Sequence, residues 1–302
     1  MPLPCSLNQR LAIRKKIMFR SAYDVRSCLV LFALITLFAV PSQGEDQKTE
    51  PTNASEAAAK KAKQAADLNQ KFAAWKATLS PEQQEWETVL EENLGGFYLP
   101  HYQRAKLQGT TTAWDYVADD PQLPRVILIG DSVSRGYTVA TRNALAGKAN
   151  VHRAPANCGP TATALKQLDV WLGNGDWDVI HFNFGIHDRR TPPADYEARL
   201  ETIVERLQKT GATLIWASTT PVPADWKEGP SIKTAIEERN VIAARVMKKH
   251  GIEIDDLFTF ITPQLAETQN PKDVHFNEQG YTQLGTQVAK SISEALKKHD
   301  SK

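Results

Sequence analysis

Four short stretches of the sequence carry residues able to do chemistry together. The first, from Gly130 to Gly136, reads G-D-S-V-S-R-G and offers Ser132 as a nucleophile. A serine hydroxyl is weak until a neighbouring base takes its proton. In a turn that opens a helix, the backbone N–H of Ser132 can also aim at a developing oxyanion. Taken alone, the same turn fits a Ser132 that merely caps the next helix. The second stretch, from Asn157 to Thr161, reads N-C-G-P-T. Gly159 lets a backbone N–H approach a ligand closely. Cys158 is a rival nucleophile, but no base adjoins it in sequence, so a buried structural thiol is the better reading.

The third stretch, from His181 to Arg190, reads H-F-N-F-G-I-H-D-R-R. Its His187 has three readings: oxyanion donor, base or metal ligand. A metal would want more ligands at close spacing. Asp188 is at hand, but His181 lies back within the strand, so no metal site is expected. Asn183 is a second, less well placed amide donor. The fourth stretch, from Pro271 to Tyr281, reads P-K-D-V-H-F-N-E-Q-G-Y. His275 there suits a general base, since an ordinary imidazole titrates at about pH 6.5. Asp131, Asn157, Asn183, Arg189 and Trp226 are the residues expected on the substrate side.

These stretches cooperate only if the fold gathers them. Apolar, β-branched runs predict strands at 126–129, 150–153, 179–184, 213–218 and 252–257. Helical spacing falls between them, near 139–145, 162–172, 193–210 and 233–250, and again at 279–298. Strands this apolar, alternating with helices, predict an α/β fold with a parallel sheet covered on both faces. Loops after such strands gather at one edge of the sheet, and three of the four stretches end strands there.

The blocks GDSVS, NCG, GIHD and DVHFNEQG, in that order, resemble those of the SGNH hydrolases, the GDSL-type esterases and lipases. The resemblance covers about 124–298. It implies a three-layer α/β/α, flavodoxin-like sandwich, with Ser132 as nucleophile and His275 as base. It also implies an oxyanion hole made by the N–H groups of Ser132 and Gly159 and by an asparagine in a Gly-x-Asn-Asp block. Two departures stand out. His187 holds the asparagine place, and an imidazole N–H can replace an amide donor. The aspartate expected three residues before His275 is Lys272, and the nearest is Asp273, two before. Either Asp273 orients the imidazole from a tighter loop, or a backbone carbonyl does so. The carboxylate better stabilises the imidazolium that forms.

Around this core, residues 1–44 read as a signal peptide, with an apolar run of 13 residues at 28–40 and cleavage after Gly44. The start is Met1 or Met18. The run is short of the roughly 20 residues a spanning helix needs, which disfavours an uncleaved anchor. Residues 45–66 read as a polar linker, 67–123 as a helical arm with a loop-rich lead-in from 97, and 124–298 as the hydrolase-type domain. Ser80-Pro81-Glu82-Gln83 has the form of a helix start. The charge balance of 36 basic against 35 acidic residues gives no footprint for nucleic acid. Cys5 and Cys28 fall in the signal, so the mature chain keeps Cys158 and no internal disulfide.

Together these readings predict a secreted or periplasmic serine esterase that needs no metal or organic cofactor. No Leu/Phe/Met-rich lid suggests a fatty-acyl tunnel. A Trp226 platform with Arg189 and Arg190 suits an acidic or sulfated carbohydrate, so O-acetyl groups on a carbohydrate are the expected substrate. The alternatives are a lysophospholipase or thioesterase on the same machinery, or a carbohydrate- or envelope-binding protein that kept the fold without activity.

Overall fold

The computed structural model describes residues 53–300, apart from 224, 227 and 229. The expected signal peptide lies outside the described residues. The described chain opens with α1 (Asn53–Lys76), α2 (Pro81–Asn93) and α3 (Gly95–Leu107). It continues as β1 (Arg125–Ile129), α4 (Ser132–Ala144), β2 (Asn150–Arg153), α5 (Thr161–Leu172) and β3 (Val179–Phe182). Then come α6 (Pro193–Gln208), β4 (Thr213–Ala217), α7 (Pro230–His250) and β5 (Glu253–Asp255). Two short helices, α8 (Leu257–Ile261) and α9 (Leu265–Thr268), precede the long α10 (Glu278–Asp300).

The strands form one sheet in the order β2-β1-β3-β4-β5, and every pairing is parallel. Alternation along each strand feeds two cores. Ile127, Ile129, Ile180, Phe182, Leu214 and Trp216 face α5, α6 and α7. Val126, Leu128, Val179, Ile215 and Ala217 face α4, α8 and α10. The result is the three-layer, flavodoxin-like α/β/α sandwich that the sequence predicted. From β1 the chain steps one way to β2, then back past β1 to β3. That reversal opens a crevice at the carboxyl ends of β1 and β3, where ligands bind in such folds. Ser132 follows β1 directly, and the turn containing His187 follows β3.

Several boundaries differ from the sequence expectations. α1 begins at Asn53, so most of the expected linker is helical. Its Ala- and Lys-rich sequence has high helix propensity. The lead-in expected as loop from 97 is α3 up to Leu107. No clear period marks it, because only Tyr102 and Gln103 of that helix are fully buried. Tyr102 joins Phe72, Leu90, Leu94 and Trp114 in the core of the arm, and its hydroxyl donates to the buried Glu87 carboxylate at 2.7 Å. α4 starts at Ser132 and runs through Gly136. A Cβ at Gly136 would stand 2.0 Å from the Tyr281 ring, so this glycine lets α10 pack hard against the helix that carries the serine.

Candidate active site

The nucleophile turn is built by caps. Asp131 is the N-cap of α4, and its Oδ1 accepts from the Val133 N–H at 2.9 Å. This leaves Ser132 as the first helical residue, beside the unsatisfied N–H groups of the helix start. Below the turn lies Arg153, the last residue of β2, 2% exposed. Its guanidinium donates to the carbonyls of Gly130 and Asp131 at 3.0 and 2.9 Å and to Ser134 Oγ at 2.6 Å. Arg153 thus fixes the backbone on both sides of the step into Ser132. The sequence reading missed it. The available signal was an arginine closing a short strand, N-V-H-R, just ahead of the small-residue run Ala154-Pro155-Ala156.

Three side chains converge above this turn. His275 Nε2 lies 2.7 Å from Ser132 Oγ, and His275 Nδ1 lies 2.8 Å from Asp273 Oδ1. Of the two alternatives for orienting His275, the aspartate is the one in reach. Lys272 makes this possible with a left-handed φ of 56°. The Asp273 N–H then bonds back to the Asn270 carbonyl at 3.1 Å, and the loop tightens by the one residue the spacing required. Burial works to raise the pKa of Asp273. The hydrogen bond and charge of His275, with the N–H groups of His275 and Val274, outweigh it and hold the carboxyl below the usual range. Asp273 is therefore ionised at neutral pH. Any stability this lends is present above the ordinary carboxylate range and fades as pH falls through the lowered value. An ionised Asp273 keeps the imidazole proton on Nδ1, so Nε2 is free to accept from the serine.

The loops after β2 and β3 are tied together by Asp188, which is fully buried. Its carboxylate accepts from the Thr161 N–H at 2.8 Å, the Thr161 hydroxyl at 2.7 Å and the Thr191 hydroxyl at 3.1 Å. Gly159 stands two residues before that anchor with φ +67°, a conformation that favours glycine. Asp188 entered the sequence reading only as a metal ligand, and its role here is structural. Cys158 is fully buried, and burial pushes its thiol up to about 12, so it is not an activated nucleophile. His187 is exposed on the 3₁₀ turn Ile186–Asp188 and makes no hydrogen bond to the described residues.

Residues 128–283, just over half of the chain, match the GDSL-like lipase/acylhydrolase family. The chain belongs to this family. As a GDSL-like acylhydrolase it is a carboxylic ester hydrolase. Among solved structures, the lipase/acylhydrolase from Enterococcus faecalis is similar in fold: 21% identity, 56% of this chain and 95% of that one covered, TM-score 0.51. An acetyl xylan esterase, AlAXEase, is similar at 14% identity, with coverage of 56% and 99% and TM-score 0.49. The acetylxylan esterase Axe2 from Geobacillus stearothermophilus is similar at 13% identity, with coverage of 56% and 94% and TM-score 0.48. No curated protein matches the sequence.

Around Ser132, the expected substrate-side residues fare unequally. Asn183 spends its amide on the Ala217 carbonyl at 2.7 Å and Thr219 Oγ1 at 3.1 Å, so it offers no donor to an oxyanion. Trp226 is 9% exposed and packs with Ile186, Val222, Ile232, Ile236 and Val274. It is a core residue rather than an open platform. Arg189 lies over its ring at 5.3 Å, and Arg189 and Arg190 both pair with Glu228. Arg189 is drawn into the loop after β4, while Arg190 stays largely exposed beside the shared Glu228. Asp131 is buried and occupied as a cap. Asn157 is half-buried, and its Oδ1 is buried with no hydrogen-bond partner among the described residues.

Asp273 invites a direct test. An asparagine there can turn its NH₂ toward Nδ1 and hold the wrong tautomer of His275. Asp273→Asn is expected to lower kcat on p-nitrophenyl acetate by about 10²- to 10⁴-fold, with KM little changed. A kcat equal to wild type would move the orienting role to another group.

Proposed function

We propose that this chain is an exported serine esterase that removes short acyl groups, O-acetyl groups above all, from a carbohydrate. The relay from Asp273 through His275 to Ser132, at 2.8 and 2.7 Å, carries the proposal. His275 Nε2 takes the Ser132 proton as Oγ attacks the ester carbonyl. The oxyanion that forms meets the N–H groups of Ser132 and Gly159 and the His187 imidazole. Collapse expels the alcohol, which leaves with the proton from His275. Water then attacks the acyl-enzyme by the same route in reverse and releases the acid.

The packing beneath the Asp131 turn leaves no tunnel there for a long acyl chain. The cavity beneath the Asp131 turn, walled by Val133, Ile186, Thr219 and Leu257, measures about 10 Å³, room for roughly one water. A larger groove of about 540 Å³ borders the Asn270–Lys272 end of the histidine loop. Asp225, Lys233, Glu237 and Lys272 line it together with Val222, Phe258 and Leu265, a mixed wall of charged groups and apolar surface. Export rests on the apolar run at 28–40.

Rates on p-nitrophenyl esters of rising chain length test this reading. The acetate is expected to exceed the decanoate in kcat/KM by about tenfold or more, since no tunnel opens beneath the serine turn to take the extra methylenes. A preference for the long chain would overturn the deacetylase reading in favour of a lysophospholipase or thioesterase.

A further inference from the structure

One charged side chain beside the nucleophile has no acceptor. Arg135 stands one helical turn after Ser132 on α4, so the two side chains emerge on neighbouring positions, about 5–6 Å apart at Cβ. Its guanidinium lies 5.5 Å from the Tyr98 ring centre and 5.8 Å from that of Trp114. Its Nε is buried without a hydrogen-bond partner. Among the described residues, no carboxylate pairs with it. The two acidic residues of the site are committed elsewhere, Asp131 to the Val133 N–H and Asp273 to His275.

A second unexplained feature adjoins it. Phe97 on α3 is 71% exposed, the most exposed large apolar side chain among the described residues. It meets Tyr98 edge-on at 4.9 Å and lies 5.3 Å from the His101 ring. The arm thus carries an aromatic surface leading from solvent to the Arg135 guanidinium.

We infer that Arg135, with Phe97 and Tyr98, forms a subsite for a carboxylate-bearing sugar ring of the uronic acid class, next to the ester that Ser132 cleaves. This deepens the deacetylase reading and rests on it for the ester. Rings that cover the faces of a guanidinium leave its N–H edge in plane and open, in the fork geometry that matches a carboxylate. The terminal N–H groups of Arg135 also lack a partner among the described residues but are not shut off from solvent as Nε is, so they are the edge a carboxylate can reach. Phe97 offers the flat apolar surface on which the ring can rest.

Two measurements separate this subsite from the esterase reading. The first is calorimetric binding of glucuronate and of glucose, with no chemistry involved. Wild type is expected to bind glucuronate at least about tenfold more tightly than glucose, Arg135→Met to abolish the difference and Arg135→Lys to restore part of it. Phe97→Ala, at an exposed position, is expected to weaken glucuronate binding a fewfold. The second is hydrolysis of 4-acetoxybenzoate against 4-acetoxybenzamide, whose ratio of kcat/KM is expected to fall about ten- to hundredfold in Arg135→Met. Equal binding of glucuronate and glucose by wild type overturns the subsite whatever the hydrolysis shows. Tighter binding of glucose 6-sulfate than of glucuronate overturns the carboxylate assignment. Selective glucuronate binding with no ester hydrolysis would uphold the subsite and overturn the esterase reading.

Discussion

Ser132→Ala is expected to reduce kcat on p-nitrophenyl acetate by about 10⁴-fold or more, to near the rate left by binding and the oxyanion donors alone. The hydroxyl is the only atom lost. Among the described residues its one side-chain hydrogen bond is to His275 Nε2, so little else in the fold depends on it. Melting temperature is therefore expected to stay close to wild type, which separates lost chemistry from lost structure. His275→Ala is expected to cost about as much, and the double variant little more, because the two act as one unit. A fluorophosphonate is expected to label wild type and leave Ser132→Ala unmodified. Equal hydrolysis by wild type and Ser132→Ala would place the chemistry elsewhere.

The second large effect is expected from a residue that touches no substrate. Asp188→Ala removes the acceptor of three hydrogen bonds from Thr161 and Thr191. Thr161 is fully buried, so its N–H and hydroxyl are left without partners or water. Each such loss costs about 1–3 kcal/mol, and the variant is expected to lose roughly 2–5 kcal/mol in all. Thermal unfolding should show a fall of about 10 °C for a domain of this size. Activity should fall further than stability explains, because the same anchor holds the turn that presents Gly159. At a temperature where the variant is still folded, kcat is expected to be about ten- to hundredfold down. Asp188→Asn keeps the shape and one acceptor, and should fall between. A variant that melts as wild type does would remove the anchor from the account.

These two residues differ in how visible they were in the sequence. Ser132 and His275 could be picked out because each sits in a short polar stretch at a place the strand–helix alternation sends to one edge. The tighter spacing of Asp273 was readable as a departure. Its resolution depended on the left-handed turn at Lys272, which no side-chain pattern announces. Arg153 and Asp188 bind mostly backbone and hydroxyl groups from other loops, and such partners leave no periodic mark. Trp226 was misjudged for a related reason. An aromatic residue in a loop reads the same whether it faces water or a local apolar cluster. α3 escaped notice because its helix is held by contacts with α1, α2 and Trp114 rather than by an amphipathic repeat.

The segment between α3 and β1 has a bearing on handling as well as on catalysis. β2 is the outer strand on its side of the sheet, and the lead-in lies against it. The Trp114 indole donates to the Ala154 carbonyl at 3.2 Å, Asn150 bonds to Asp120 and Leu123, and Arg142 reaches the carbonyls of Thr112 and Ala113. A shortened chain begun at the family's first strand would strip this covering and leave β2 open to pairing with a second molecule. Such a shortened chain is therefore expected to self-associate through β2, which light scattering would show.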